Sequence, residues 1–348
     1  MKITHIHIER FRGFQNEDFE VGSLLTAIAG QNGTQKSTLL GIITQTFTLK
    51  TEDSMRVEKP LCGGSYISAF KDKFRLSPTF DKPKGHEWTI SFDAGMDDFT
   101  VESIKRTGDP NVRFWKKGAR QEGDGYISFP TIFLSLKRLV PVAEEAKIIT
   151  DDTLLTQEEL NEFKQLHNKI LIAQTPISSA TTITSKNKQS IGVSTELYDW
   201  NQNSMGQDNL GKIILALFSF KRLHDKYPRQ YKGGILAIDE MDATMYPASQ
   251  VELLKVLRKY ASKLNLQILF TTHSMSLLKA MDDLVQEVTK KEETANQAKI
   301  LYLKKVDDKI AIKQGVNFKG IQLDLNVVAE GNNRKKNRIT AYTEDKEN

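Results

Sequence analysis

The chain has 348 residues, 39% of them hydrophobic, which suffices for one large globular domain or a domain carrying an inserted lobe. No apolar run approaches the roughly eighteen residues that span a bilayer, and the first turns carry Glu and Arg where a secretory signal is apolar, so the sequence reads as cytoplasmic, without a membrane partner. The single cysteine, Cys62, excludes an intrachain disulfide and a multi-cysteine zinc site, while a net charge of +5 permits contact with DNA or RNA phosphates without demanding it.

In chain order, Met1 to Ile8 alternates as a half-buried strand and leads into Arg10-Phe11-Arg12-Gly13-Phe14. The apolar run Leu24 to Ala29 then ends in Gly30-Gln31-Asn32-Gly33-Thr34-Gln35-Lys36-Ser37-Thr38, with helical Leu39-Leu40 after it. Strand, glycine-bearing loop and helix in that order make a phosphate loop: backbone N–H groups converge on phosphates at the helix N-terminus, one Lys adds charge and one hydroxyl holds a metal. Lys36 and Ser37 fill the two side-chain roles, and Asn32, Gly33, Thr34, Gln35 and Thr38 complete the cradle for ATP with Mg²⁺. Gln35 departs from the motif, which places Gly before the Lys, and this predicts weakened turnover. The plainer reading is a glycine-rich turn that only starts a helix.

The β-type runs Glu87 to Phe92, Phe99 to Lys105 and Tyr126 to Leu134, separated by Gly- and Asp-rich loops at 93–98, 108–110 and 118–125, predict antiparallel hairpins. They close a first lobe, 1–140. Residues 141–180, with a capping-box-like Thr156-Gln157-Glu158-Glu159, read as helices of an insertion spanning 141–195, and Ser178 to Ser190 reads as a loop. A second lobe, 196–318, alternates helix and strand as a parallel α/β core does. Within it, Asn203-Ser204-Met205-Gly206-Gln207-Asp208 precedes a helix from Asn209 to His224, for which Ser204 serves as N-cap. The buried-strand run Ile235 to Ile238 ends in Asp239-Glu240, a metal carboxylate beside a base that can polarise an attacking water, or simply an acidic cap of a strand. Gln267 to Phe270 leads into Thr271-Thr272-His273-Ser274. Ile300 to Lys304 and Lys309 to Lys313 predict a hairpin turning at Asp307-Asp308, followed by 319–348 as a polar tail or the start of a further domain.

The order of these elements carries a family resemblance. Ser204-Met205-Gly206-Gln207 resembles the signature loop of the ATP-binding-cassette class, usually Ser-Gly-Gly-Gln, with Met205 in place of the first Gly; Asp242 to Pro247 resembles its D-loop and His273 its switch histidine. The resemblance implies an α/β fold, an ABC-type P-loop ATPase head with a mixed sheet, an antiparallel β-subdomain and a short helical insertion. It also implies a homodimer or higher homo-oligomer that sandwiches ATP between the phosphate loop of one copy and Ser204, Gly206 and Gln207 of another. Asp239 and Ser37 then hold Mg²⁺, Glu240 is the base and His273 meets the γ-phosphate.

The opening strand with Phe-Arg-Gly-Phe resembles the heads of RecF, SMC and Rad50 ATPases, although the insert of about forty helical residues is far shorter than a coiled-coil arm. Phe74 to Pro78, Phe133 to Pro141, Trp200 to Gln207 and Ile238 to Pro247 most resemble the antiviral ATPases of the overcoming-lysogenization-defect (OLD) family and of Septu systems. That implies a nuclease effector partner of HNH or Toprim type. Arg338 to Asp345 resembles the opening strand of a Toprim nuclease and reads equally as a charged tail. Two other readings stand beside this one: a RecF-like repair ATPase, and a scaffold locked around unhydrolysed ATP because of Gln35. Arg12 and Arg138 are weaker candidates for nucleotide contact than for structural or surface cations. The basic stretches Lys71 to Arg75, Lys105-Arg106 with Arg113 to Lys117, and Arg334 to Arg338 allow nucleic-acid contact.

Overall fold

Ile3, Ile6, Ile8 and Phe11 are buried along β1 (Ile3–Phe11) while the residues between them are partly or fully exposed; the spacing departs from strict alternation where the ladder shifts register, between Ile3 and His5 and between Ile8 and Arg10. The computed structural model describes residues 1–66, 70–93, 95–105, 112–118, 125–140, 147–151, 153–185 and 189–331. β1 turns at Arg12-Gly13 into β2 (Phe14–Glu20). Next come β3 (Leu25–Gly30), α1 (Lys36–Thr44), the short β4 (Phe47–Thr48) and the single turn α2 (Phe70–Lys73). β5 (Glu87–Phe92), β6 (Phe99–Lys105) and β7 (Val112–Lys116) then join β1 and β2 in an antiparallel sheet of order β2-β1-β5-β6-β7.

The run expected as one strand from Tyr126 to Leu134 is two, β8 (Ile127–Ser128) and β9 (Thr131–Leu134), because Pro130 between them has no N–H to give a ladder. β8 pairs with β4, whereas β9 enters the central sheet. The insertion also departs from expectation. Among the described residues it has, in place of several helices, β10 (Ile149–Asp151), one helix α3 (Gln157–Leu171), β11 (Ser179–Thr184) and β12 (Gln189–Ser194), the strands forming an antiparallel sheet. The stretch read as a Ser/Thr loop is therefore mostly strand: Thr and Ile are β-branched, and the buried Ile183, Ile191 and Val193 outweigh the polar composition around them.

The second lobe runs α4 (Met205–Lys226), β13 (Gly234–Ile238), α5 (Pro247–Lys263), β14 (Leu266–Thr272), α6 (Met275–Val288), β15 (Ala298–Val306), β16 (Lys309–Lys313) and α7 (Phe318–Gly331). The central sheet has the order β16-β15-β3-β14-β13-β9 and is parallel apart from β16. Its inner strands β3, β14 and β13 are buried on both faces because a layer covers each side. Ile28, Ile235, Ala237 and Leu269 face α1 and the antiparallel sheet, while Ala27, Leu236, Ile238 and Phe270 face the layer of α4, α5 and α6. This is the mixed α/β P-loop head expected from the sequence. Residues 332–348, which carry the Toprim-like stretch and the last basic run, lie outside the described residues, as do Arg106 and the loop at 108–110.

α3 supplies a pH-sensitive contact. His167 is buried beside Phe163, with ring centroids 5.8 Å apart and no partner for Nε2 among the described residues, and burial lowers its pKa to about 4 from 6.5. Between those two values the unfolded chain binds a proton that the folded chain refuses, so stability falls as pH drops from about 6.5 towards 4, by up to about 1.4 kcal/mol per pH unit. Urea midpoints at pH 7 and pH 5 should therefore converge in His167→Met relative to the parent; an unchanged difference rules this contact out as the source.

Candidate functional site

Parallel strands put their C-terminal ends on one edge, where ligands of open α/β sheets bind. Here Ala29 of β3 is level with Thr272 of β14, Phe270 with Ile238 of β13, and Ile238 with Leu134 of β9. The segments leaving those ends therefore meet: the loop Gly30–Thr38, the pair Asp239-Glu240, the turn Thr271–Ser274 and the turn Ser135–Arg138.

The loop wraps tightly. Gly30 has φ 152°, and a Cβ there would lie 2.8 Å from Thr34 Oγ1; Gly33 has φ 81° and faces open space. Thr34 Oγ1 donates to Gln31 O at 2.8 Å. Lys36 is only 7% exposed, and its Nζ donates to Gly30 O and Gln31 O at 3.0 and 2.9 Å, holding the ammonium within the curl of the loop. Burial lowers the Lys36 pKa, and Glu240, Asp239 and Asp242 oppose that shift. Gln35 caps α1 in the left-handed region, φ 61° and ψ 32°, with no side-chain cap bond, so the first N–H groups of α1 are left open to an anion. An L-residue there costs about 1–2 kcal/mol over Gly. The Gln35 amide lies against Gly13, where a Cβ would meet Nε2 at 3.0 Å, and Oε1 is buried without a donor among the described residues.

Ser37 Oγ and Thr271 Oγ1 both donate to Asp239 Oδ1, at 2.8 and 2.7 Å. That hydroxyl–carboxylate set fits Mg²⁺, an ion that takes few protein oxygens and completes its shell with phosphate and water; among the described residues no cluster of His, Cys, Asp and Glu could hold a metal by itself. Glu240 sits at φ 49° with both sides of its backbone held: its N–H donates to Thr271 Oγ1 at 2.6 Å and its carbonyl accepts from Arg138 Nη2 at 2.8 Å. Exposed His273 donates its backbone N–H to Asp242 Oδ1 at 3.3 Å, and its imidazole has no partner among the described residues. Asn32, also exposed, lines a small cavity with Gln31, Thr272 and His273, closed by Tyr302 and Ile321.

Within the chain, Ser204 and Gln207 make a reciprocal capping box. Ser204 N donates to Gln207 Oε1 at 2.8 Å and Gln207 N to Ser204 Oγ at 3.3 Å, while Gln207 Nε2 reaches Tyr198 at 2.9 Å. These bonds stay within residues 198–207 and none reaches the phosphate loop. Gly206 is needed for close approach, since a Cβ there would stand 2.6 Å from Thr244 O. One turn on, Asn209 Nδ2 donates to Ala243 O at 2.9 Å.

Thr271 and Asn209 stand within legible sequence motifs but carry no role of their own there, and the pair Asp81–His86 has no sequence signal. Arg12 grips Asp81 with Nε and Nη2, both at 3.1 Å, and gives Nη1 to Thr38 Oγ1 at 3.3 Å. Burial raises the Asp81 pKa, but the bonds from Arg12, Ser77 and His86 outweigh it and hold the carboxyl at about 2.

A family model described as an AAA ATPase domain matches residues 1–190 and 135–278 of the chain. The chain belongs to that family. No curated protein matches this ATPase at the level of sequence. Among solved structures it resembles an SMC head bound to the C-winged helix domain of ScpA, at 14% identity over 92% of this chain and all of that one, with a TM-score of 0.53. The SMC head domain from Thermotoga maritima is also similar, at 14% identity over 91% of this chain and all of that one, with a TM-score of 0.48. The first likeness gives the ATPase an SMC-head type fold. No helix among the described residues is long and apolar enough to cross a membrane.

Proposed function

We propose that this ATPase is the nucleotide-hydrolysing subunit of a bacterial anti-phage system, in which ATP binding between two copies controls a nuclease partner of HNH or Toprim type. Mg·ATP lies on Asn32 to Thr38 of one copy and is capped by Ser204, Gly206 and Gln207 of the other. Lys36 meets the phosphates, Ser37 and Asp239 hold Mg²⁺, Glu240 takes the proton of the attacking water, and His273 meets the γ-phosphate. The observation that carries the hydrolytic part is the convergence of Ser37 and Thr271 on Asp239 Oδ1 beside a clamped Glu240. The defence part draws on the OLD- and Septu-like stretches and on the short insertion, which leaves no arm for tethering distant DNA.

A scaffold locked around ATP is the second reading, favoured by Gln35 in its left-handed position. Affinity purification at native expression, with partners identified and turnover measured on the same material, separates the cases. A nuclease bound to an ATP-loaded oligomer with multiple turnover is the expected result. A lone dimer whose turnover rises with DNA moves the assignment to RecF-like repair, and retained ATP without turnover supports the scaffold.

A further inference from the structure

Arg138 is 2% exposed, and among the described residues every hydrogen bond it makes ends on a neutral oxygen: Asn209 Oδ1 at 2.7 Å, Glu240 O at 2.8 Å, Ser135 O at 3.1 Å and Leu134 O at 3.3 Å. A buried guanidinium without a bonded carboxylate is costly, because dipoles and the unbonded charges of Asp239, Glu240 and Asp242 offset only part of its lost hydration, and burial lowers its pKa to about 10. Ionised groups kept in such places generally serve more than packing. Its four partners come from the end of β9, from α4 and from the Asp239-Glu240 turn. Asn209, fully buried, continues the link, since its Nδ2 holds Ala243 O at 2.9 Å in the segment after Glu240.

The two anchored peptides belong to strained backbone: Glu240 has φ 49° and Thr244, next to Ala243, has φ 67°. Such conformations persist where surroundings over-determine them. On the same face of α4, Gly206 lets the helix start approach Thr244 O. The first turns of α4 thus hold the segment 240–244 at three points, directly through Gly206 and Asn209 and indirectly through Arg138.

We infer that Arg138 and Asn209 are positioning residues through which α4 sets the backbone of Glu240, so that docking of Ser204–Gln207 on a second copy's nucleotide is felt at the base of its own subunit. This rests on Glu240 being the base. Neither side chain touches nucleotide in this scheme; both act on where the Glu240 carboxylate stands, and misplacement by about 1 Å costs about 10²-fold in rate.

Arg138→Lys keeps the charge and loses the planar fork. In single-turnover assays with labelled ATP on the full chain, it should lower the hydrolysis rate about 10–100-fold while the ATP dissociation constant stays within about threefold. In a Glu240→Gln background the same change should add nothing, because its effect runs through that side chain. Asn209→Asp, nearly isosteric and without the donor to Ala243, tests the link from the helix side and serves if Arg138→Lys does not fold. A wild-type rate in the folded variants, or the same further loss in the Glu240→Gln background, overturns the inference alone. A parent chain without hydrolysis, or Glu240→Gln turning over like the parent, overturns the assignment of the base and this inference with it.

Discussion

Glu240→Gln is expected to bind ATP as the parent does and to hydrolyse it about 10²–10⁴-fold more slowly, the range that removal of a general base produces. The substitution is nearly isosteric. The contacts that hold the residue are made by its backbone, the N–H to Thr271 Oγ1 and the carbonyl to Arg138, so the local structure should survive. Lys36, Ser37 and Asp239, which carry ground-state binding in this account, are untouched. Single-turnover hydrolysis with a parallel ATP titration measures both quantities. Parent-like turnover excludes Glu240 as the base, and lost binding shows that it serves the loop rather than the chemistry.

Lys36→Met should instead weaken ATP itself. The Lys36 ammonium donates to Gly30 O and Gln31 O inside the loop. Phosphate oxygens offer it charge-assisted bonds, each worth about 1.5–3 kcal/mol, which converts to roughly 10- to 150-fold in the ATP dissociation constant. Binding measured by titration should fall by that factor, and the melting temperature without nucleotide should fall too, because the methionine fills the space but leaves Gly30 O and Gln31 O without that donor. Affinity within about twofold of the parent contradicts the assignment.

β3, β13 and β14 announce themselves because each is buried on both faces, leaving continuous apolar runs whose ends must be loops at the C-terminal edge of a sheet. Glycines and acids directly after such runs are therefore readable in one dimension. β11 and β12 were not, since Ser and Thr suit loops and strands alike, and the deciding burial of Ile183, Ile191 and Val193 comes from packing against the layer around them. Arg138 was the least legible. Within its own run it resembles any surface cation, and what buries it is Asn209, 71 positions away, and the Glu240 carbonyl, 102 positions away. Gln35 shows the converse: the motif exposes it as foreign, but only the fold shows its left-handed backbone and the contact of its amide with Gly13.

Ser204 stands exposed at the start of α4, with its bonds confined to residues 198–207, so in this account it meets nucleotide only on a second copy. Sedimentation equilibrium of the Glu240→Gln chain with and without Mg·ATP tests that claim most directly. Mass should double, or rise by a larger whole multiple, on adding Mg·ATP, and the rise should vanish when Ser204→Arg is introduced as well. Full occupancy by ATP with no change in mass, or an ATP-dependent oligomer indifferent to Ser204→Arg, would contradict it.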